Sequence, residues 1–523
     1  MTDSALDTAD PASFPRVSAD TSVSTTGETS AAAVVFVGLL SGVQASDPNI
    51  AATALVSASR GLQMTSGQTS IAASIFTIMM AATVISTGLL ADRLGRRRVL
   101  LAALALSVVG DVVVALAPGF TIYAIGRGLA GVGLGAVYGA AFAYVNVLAR
   151  PGRLAAAVGL FTAAGAVAMV GMSFVGGILT SQNWRLAFLL VPAVSLLGML
   201  FVPKLLPEQS PVDQGKSDVL GQLLLGFGVI GTLYGLSHAA AGVTKPLTWI
   251  PLLVGILLLV AFFLSQRYRS NAFYPVRLFR NPVFIGALCA GFVYNFGQSA
   301  SFLQLANIWQ YVGEFGALQV TLGQLPYLAT GIIGALLVGR WMSNGLSNAN
   351  AVLLGTALTA LGFFSLLLVH RGGSFWTFLP ALVLIGAGTV IASLPFGSLI
   401  IGTAPAEYYG PVTSSRTTIG QFAYAIGIAA ATLSIDKLTL GGTVERLTAA
   451  GVPPSQVGTG LDAVTAFGST GTHPSTELGR QALSQANTSY HEAFHITMVG
   501  AGLVCLLVGF VGYWLLRRST AAN

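Results

Sequence analysis

The sequence predicts an all-α integral membrane protein that crosses the bilayer fourteen times, and three observations carry that expectation. Of 523 residues, 54% are hydrophobic and only 8% are charged, whereas a soluble chain carries roughly 25% charged residues to face water. Mean hydropathy is +0.77, so lipid must be the solvent for most of the surface. Apolar runs of about 20 residues, enough to cross the hydrocarbon core as a helix, recur between short polar or Gly/Pro turns. The basic residues are also sided: with the N-terminus inside, 16 of the 25 Lys and Arg fall in inner loops or at inner span ends, seven on the outer side, and only Arg127 and Arg416 lie well within spans. That bias favours an even number of spans with both termini cytoplasmic.

Residues 1–32 are Ser/Thr-rich and acidic, with no basic stretch or small-residue cleavage site before the first apolar run, and read as a disordered cytoplasmic tail. Spans are expected at 33–55, 70–92, 98–117, 121–148, 153–180 and 184–204, then at 217–237 and 247–265. Six more follow at 283–312, 317–341, 350–370, 374–402, 411–435 and 493–516. Ala117-Pro118-Gly119, Arg150-Pro151-Gly152-Arg153 and Arg371-Gly372-Gly373 close three hairpins, because Pro and Gly stop helices. The stretch 436–492 reads as an extracytoplasmic loop with helix-like fragments at Gly441–Ala450 and Leu478–Ala493, serving either as a passive flap or as a gate over the outer mouth. Residues 517–523 are a short cytoplasmic tail.

The net charge of +7 is scattered over interhelical loops rather than gathered on one face, so it reports membrane orientation and excludes nucleic acid as a partner. Cys289 and Cys505 sit in apolar runs with no Cys-x-x-Cys spacing and read as packing residues. His491 and His495 are spaced i, i+4 without further ligands, which does not make a metal site. No Ser/His/Asp grouping and no phosphate-binding loop is present, so neither an enzyme nor an ATP-driven pump is expected, and no cofactor.

The most specific local signal is Gly88-Leu89-Leu90-Ala91-Asp92-Arg93-Leu94-Gly95-Arg96-Arg97-Arg98, between the second and third spans. Gly88 and Gly95 permit close helix approach and a tight turn, while Asp92 can meet a basic group or helix terminus across a seam between two halves. This run resembles the signature loop of the major facilitator superfamily. Arg127-Gly128-Leu129-Ala130-Gly131-Val132-Gly133 resembles that superfamily's Arg-x-x-x-Gly-x-Gly element, in which Gly131 and Gly133 admit a neighbouring helix. Met172-Ser173-Phe174-Val175-Gly176-Gly177 keeps the paired glycines of the helix 5 motif of the fourteen-helix drug:proton antiporters, without its Gly-Pro.

Tyr274-Pro275-Val276-Arg277-Leu278-Phe279-Arg280-Asn281 is similar to that branch's linker, and Trp184-Arg185, Ser415-Arg416-Thr417 and Glu492-Ala493-Phe494 extend the likeness. Gly339-Arg340-Trp341-Met342-Ser343-Asn344-Gly345 is a degenerate copy of the first motif, as two related halves would produce. The resemblance covers residues 33–516 and implies a major facilitator fold. Its two six-helix bundles would be 33–204 and 282–516, joined by a linker, 205–281, that carries two extra helices. Gly88, Asp92, Arg93, Gly95, Arg96, Gly131, Gly133, Gly176 and Gly177 are then the residues expected to gate conformational change.

Of 18 acidic residues only Asp47 and Asp111 fall well inside the expected spans. An acid or an arginine within the bilayer is costly and is a functional candidate by default. Ser41, Gln44 and Asp47 share one helical face, and Pro48 frees a backbone carbonyl beside them. Asp111 and Arg127 are each eight residues from Gly119, so the hairpin sets them at similar depth, and Asp111 reads either as a proton site or as a structural partner of Arg127. Asp47, Asp111 and Arg127 are the candidate proton-coupling residues. Gln44, Asp47, Arg127, Tyr294, Asn295, Gln298 and Phe302 are the candidate substrate contacts. Asn295, Gln298, Ser299 and Phe302 fall on one face, where amides and an aromatic suit an uncharged or cationic amphipathic molecule or, alternatively, glue helices together.

These readings converge on a monomeric, proton-coupled secondary transporter in a bacterial plasma membrane, exporting amphipathic drugs, metabolites or lipids. A small-nutrient importer or facilitator, and a non-transporting sensor built on a transporter fold, are the alternatives.

Overall fold

The computed structural model describes residues 27–149, 154–208, 218–239, 245–269, 272–370, 374–404 and 408–521. The hairpins expected at Arg150–Arg153 and Arg371–Gly373 lie outside the described residues, as does residues 1–26 of the tail. The described chain is all helix, with fourteen helices long and apolar enough to cross a membrane.

The first bundle comprises α1 (Gly27–Gly61), α2 (Ser66–Leu94), α3 (Arg96–Leu116), α4 (Phe120–Leu148), α5 (Leu154–Gln182) and α6 (Trp184–Leu205). The insert is α7 (Val219–His238) and α8 (Pro246–Tyr268). The second bundle comprises α9 (Pro282–Tyr311), α10 (Ala317–Ser343), α11 (Asn348–Ser365), α12 (Leu379–Thr403), α13 (Tyr409–Ala449) and α15 (Glu477–Ala521). A short helix, α14 (Pro454–Thr470), stands between the last two. Because α1 begins at Gly27, the tail expected to end at residue 32 is already helical over its last six positions.

Caps written in the sequence set many of the boundaries. Asn183 accepts from Arg185 N (3.0 Å), Asn281 from Val283 N (2.9 Å) ahead of Pro282, and Ser347 from Asn350 N (3.2 Å), each satisfying a donor the first turn leaves open. Small residues set helix spacing. A Cβ on Gly126 of α4 would lie 2.7 Å from Gly110 O of α3, and one on Gly38 of α1 would lie 2.6 Å from Phe161 O of α5. Backbones therefore touch along both pairs, which is how membrane helices gain dispersion energy without a hydrophobic driving force. Large apolar side chains such as Leu200, Leu257 and Leu507 are exposed and form the lipid-facing belt.

The two bundles are repeats. The α1–α2 and α9–α10 turns carry the only non-glycine residues of positive φ among the described residues, Gln63 (50°) and Glu314 (55°), 251 residues apart. In each turn a Gln side chain three residues into the next helix accepts from the N-cap N–H, Gln68 from Thr65 and Gln319 from Gly316, both at 2.9 Å. The α2–α3 and α10–α11 turns likewise hold Gly95 at φ 95° and Gly345 at φ 107°, which only glycine adopts without strain. Between the bundles α2 packs on α13 and α5 on α10, and α7 lies against both α2 and α13.

In the stretch 436–492 the fragments expected at Gly441–Ala450 and Leu478–Ala493 belong to long helices, and a further helix lies between them. α13 runs on to Ala449, α15 starts at Glu477, and α14 lies beside the latter's first turns. Leu447, Val452, Val457 and Ala482 form a small separate core there. This hairpin reaches both bundles: a Cβ on Gly471 (φ 73°) would lie 2.7 Å from Cζ of Arg60 at the end of α1, and His473 Nε2 is 3.5 Å from Glu314 Oε1 in the α9–α10 turn.

Candidate functional site

Three intramembrane charges meet inside the first bundle. Asp47 on α1, Asp111 on α3 and Arg127 on α4 are 1%, 0% and 1% exposed. Arg127 Nη1 donates to Asp47 Oδ1 at 2.5 Å and lies 3.7 Å from Asp111 Oδ1. Both Asp111 oxygens are buried without a hydrogen-bond partner. The guanidinium stacks on Phe76 (4.6 Å to the ring centroid) and Phe188 (5.4 Å), and Tyr123 and Trp184 pack edge-on against Phe188 to complete an aromatic wall. Two carboxylates on one guanidinium leave one negative charge uncompensated when both acids are ionised, and one proton cancels it.

The glycines around Arg127 make that meeting possible. Gly131 leaves α4 in contact with the Phe76 carbonyl of α2, and a Cβ on Gly133 would lie 2.6 Å from Ser107 N of α3. A Cβ on Gly176 would lie 2.6 Å from Ile50 Cγ1 of α1, inside the first bundle, whereas Gly177 meets Thr321 of α10 across the seam. Gly88 lies within α2, and Gly95 ends it. Arg96 Nη1 donates to Ala143 O at 3.1 Å, tying the α2–α3 turn to the end of α4. The Asp92 side chain lies outside the described residues, and Arg93 sits in the last turn of α2.

A cavity of about 160 Å³ lies between the bundles. Gln44, Pro48, Asn49, Thr77, Tyr138 and Met169 line it from the first bundle, and Tyr294, Asn295, Gln298, Phe396, Arg416, Gln421 and Tyr424 from the second. The repeat explains part of the lining, since Asn295 lies 251 residues beyond Gln44, the spacing that separates the two positive-φ turn residues. Gln44 donates to Met80 Sδ (3.1 Å) and Asn295 to Gly291 O (2.8 Å), so both amides are oriented by their own bundle.

Four expected substrate contacts, Gln44, Tyr294, Asn295 and Gln298, thus stand on the cavity wall. The other three do not. Asp47 is committed to Arg127, which supplies the counter-charge that a carboxylate buried away from water requires. Arg127 and Phe302 instead line a second space of about 30 Å³, with Pro48, Thr77 and Tyr424 shared between the two. That volume holds about one or two waters. Phe302 is 3% exposed and packs edge-on against Tyr327. Ser299, expected on the same face, donates to Phe296 O and packs on Gly427, a helix contact. Sequence reasoning missed Arg416, Tyr138 and Phe396 as cavity residues. Arg416 carried the signal, being one of two basic residues inside a span.

Among the described residues no group of three or more His, Cys, Asp or Glu is placed to hold a metal ion.

The family model described as Major Facilitator Superfamily matches residues 34–428. The multidrug resistance protein B homolog of Mycobacterium tuberculosis (strain CDC 1551 / Oshkosh) is 29% identical over 336 residues, 62% of this chain and 62% of that protein. The chain therefore matches less than two thirds of that relative. The multidrug efflux pump LfrA of Mycolicibacterium smegmatis is 22% identical over 451 residues, 85% of this chain and 88% of that protein. Among solved structures, the crystal structure of a bacterial homolog to the human lysosomal transporter Spinster, in an inward-facing and unoccupied conformation, superposes with a TM-score of 0.63 at 13% identity, covering 94% of this chain and 98% of that one. At that identity the likeness establishes the fold.

Proposed function

The chain belongs to the Major Facilitator Superfamily and is a multi-pass membrane transporter, and from that premise we propose that it exports amphipathic organic compounds by alternating access, driven by protons. The observation that carries the coupling is the charge triad. A low-dielectric site holding two acids and one guanidinium has a charge deficit of one proton, and the space beside Arg127 adjoins the central cavity through Pro48, Thr77 and Tyr424. Protonation at Asp47 or Asp111 weakens the hold on Arg127 and biases the packing of α1, α3 and α4, which is a two-state element both proton and cavity can sense.

Export, rather than import, rests on the names of the relatives, multidrug resistance and efflux proteins. Alternating access is supported by the repeat, by the glycine-lined seam at Gly177 and Thr321, and by the turns at Gly95 and Gly345. The gating set of Gly88, Asp92, Arg93, Gly95 and Arg96 belongs to the same reading. Orientation with both termini in the cytoplasm of a bacterial cell is supported by the basic residues: Arg96, Arg97 and Arg98 at the start of α3, Arg267 and Arg269 at the end of α8, and Arg517 and Arg518 at the end of α15 all fall on the side assigned to the inner face. The protein is read as a monomer.

The test is uptake into inverted proteoliposomes containing a pH-sensitive dye, over a panel of amphipathic compounds. Wild type should move protons with at least one compound, and Asp47→Asn should abolish that movement while sparing compound exchange. Proton movement retained in Asp47→Asn would remove the triad from the coupling step.

A further inference from the structure

Arg416 gives the central cavity a charge that its amides and aromatics do not predict. It projects from α13 into the cavity, where its guanidinium donates to Tyr138 Oη at 3.1 Å across the seam and lies 5.2 Å from the Phe396 ring centroid. Gly397 of α12 lies beside it, where a Cβ would stand in ordinary contact, 3.5 Å from Cζ. Among the described residues, no carboxylate lines the cavity and none forms an ion pair with Arg416; its Nε is buried with no hydrogen-bond partner. Asp47, next in sequence to the cavity residue Pro48, is already engaged by Arg127. A guanidinium offers five donors, and among the described residues this one has a single acceptor, a neutral phenol.

We propose that Arg416 is a substrate-binding residue and that the transported class is amphipathic organic anions, whose carboxylate or equivalent oxyanion pairs with the guanidinium while the hydrophobic body lies against Phe396, Tyr138 and Met169. This rests on the transport reading above and replaces the uncharged or cationic substrate expected from the sequence. An arginine inside a membrane protein is costly unless paired. An anion brought from the lipid or the inner aqueous face supplies the missing partner with a charge-assisted, bidentate contact. A cationic molecule entering the same cavity meets repulsion and no acid to offset it. Gln298 and Gln421 then add amide contacts, and Gln421 Oε1 is a buried acceptor without a donor, suited to a second hydroxyl or amide on the same molecule.

The test uses the purified full chain in lipid nanodiscs with three probes sharing one hydrophobe: pyrenebutyrate, pyrenebutanol and pyrenebutyl-trimethylammonium. Wild type should bind the carboxylate at least about tenfold tighter than the alcohol or the ammonium, the effect of one hydrogen-bonded charge contact. Arg416→Gln should lose the preference, with a tryptophan-fluorescence unfolding curve like that of wild type showing that the variant is folded. Arg416→Lys should retain part of it, because a point charge replaces the fork, and it serves the same end if the glutamine variant is unstable. Equal binding of the three probes by wild type, or a carboxylate preference that survives Arg416→Gln, would overturn the proposal. Counterflow of the same probes in proteoliposomes separates the two readings: movement of the alcohol or ammonium without preference for the carboxylate sinks the anion class and leaves transport standing. Folded wild type that neither binds nor moves any probe sinks both.

Discussion

Replacing Arg127 by Gln should be the most damaging single change in the first bundle. The side chain is 1% exposed and is the only cation facing Asp47 and Asp111 among the described residues. At an effective dielectric near 20, a charge pair at the 3.7 Å separation of Arg127 and Asp111 is worth about 4 kcal/mol, and the 2.5 Å contact to Asp47 is worth more. Desolvation offsets much of this while the triad is complete, but removing one partner of a buried pair leaves the others uncompensated and costs about 3–5 kcal/mol. Losing the stacking on Phe76 and Phe188 adds to the loss. Asp111→Asn should behave differently. It removes one attraction to Arg127 together with one repulsion from Asp47 and leaves a one-to-one pair, so its stability should stay within about 1 kcal/mol of wild type. The assay is unfolding by dodecyl sulfate in mixed micelles, followed by tryptophan fluorescence. An Arg127→Gln cost below about 1 kcal/mol, or an Asp111→Asn cost equal to it, would refute the charge-balance argument.

Gly131→Ala should cost about 1–3 kcal/mol and lower expression, because its Cβ meets the Phe76 carbonyl, whereas Gly128→Ala, whose Cβ would make ordinary contacts with Met79 Cγ at 3.6 Å and Ile75 Cγ1 at 4.0 Å, should be neutral in the same unfolding assay. Gly177→Val should hold α5 away from Thr321 of α10, so that a cysteine placed at buried Ala72 reacts faster with a membrane-impermeant maleimide; an unchanged rate would remove Gly177 from the seam. Gly471→Val combines a left-handed φ with a collision against Arg60, and should raise hydrogen exchange across 454–476 while leaving the bundles protected. Asp218→Ala should loosen the insert. Asp218 caps Gly221 N and pairs with Arg269 at 2.9 Å, and its partner Gln266 accepts from Tyr274 N, whose hydroxyl reaches Ser415 at 2.9 Å. The expected result is proteolysis at 270–281 without loss of the bundles.

The bundle was readable because each signal was local and strong. Apolar runs of spanning length and the run from Gly88 to Arg98 located α2, α3 and the turn whose Gly95 adopts positive φ. The scarcity of intramembrane charge singled out Asp47 and Arg127, and equal distance from Gly119 placed Asp111 beside Arg127. That all three converge could not be read, since it depends on the rotation of α1 about its axis, set by Gly38 and Gly42 packing on α5. The same rotation moves Asp47 off the cavity wall and leaves Gln44 on it. Within 436–492 the helix-like fragments at Gly441–Ala450 and Leu478–Ala493 were legible, whereas α14 was not read although Val457, Leu461 and Val464 at i, i+4 and i+7 were the periodic signal available.

The central claim is that one exchangeable proton resides on the Asp47–Asp111 pair. Infrared difference spectra of the reconstituted protein across a pH jump test it most directly, through the carbonyl stretch of a protonated carboxylic acid. Wild type should gain that band on acidification, and Asp47→Asn and Asp111→Asn should each abolish or shift it. The same band at full strength in both variants would place the proton elsewhere and contradict the account.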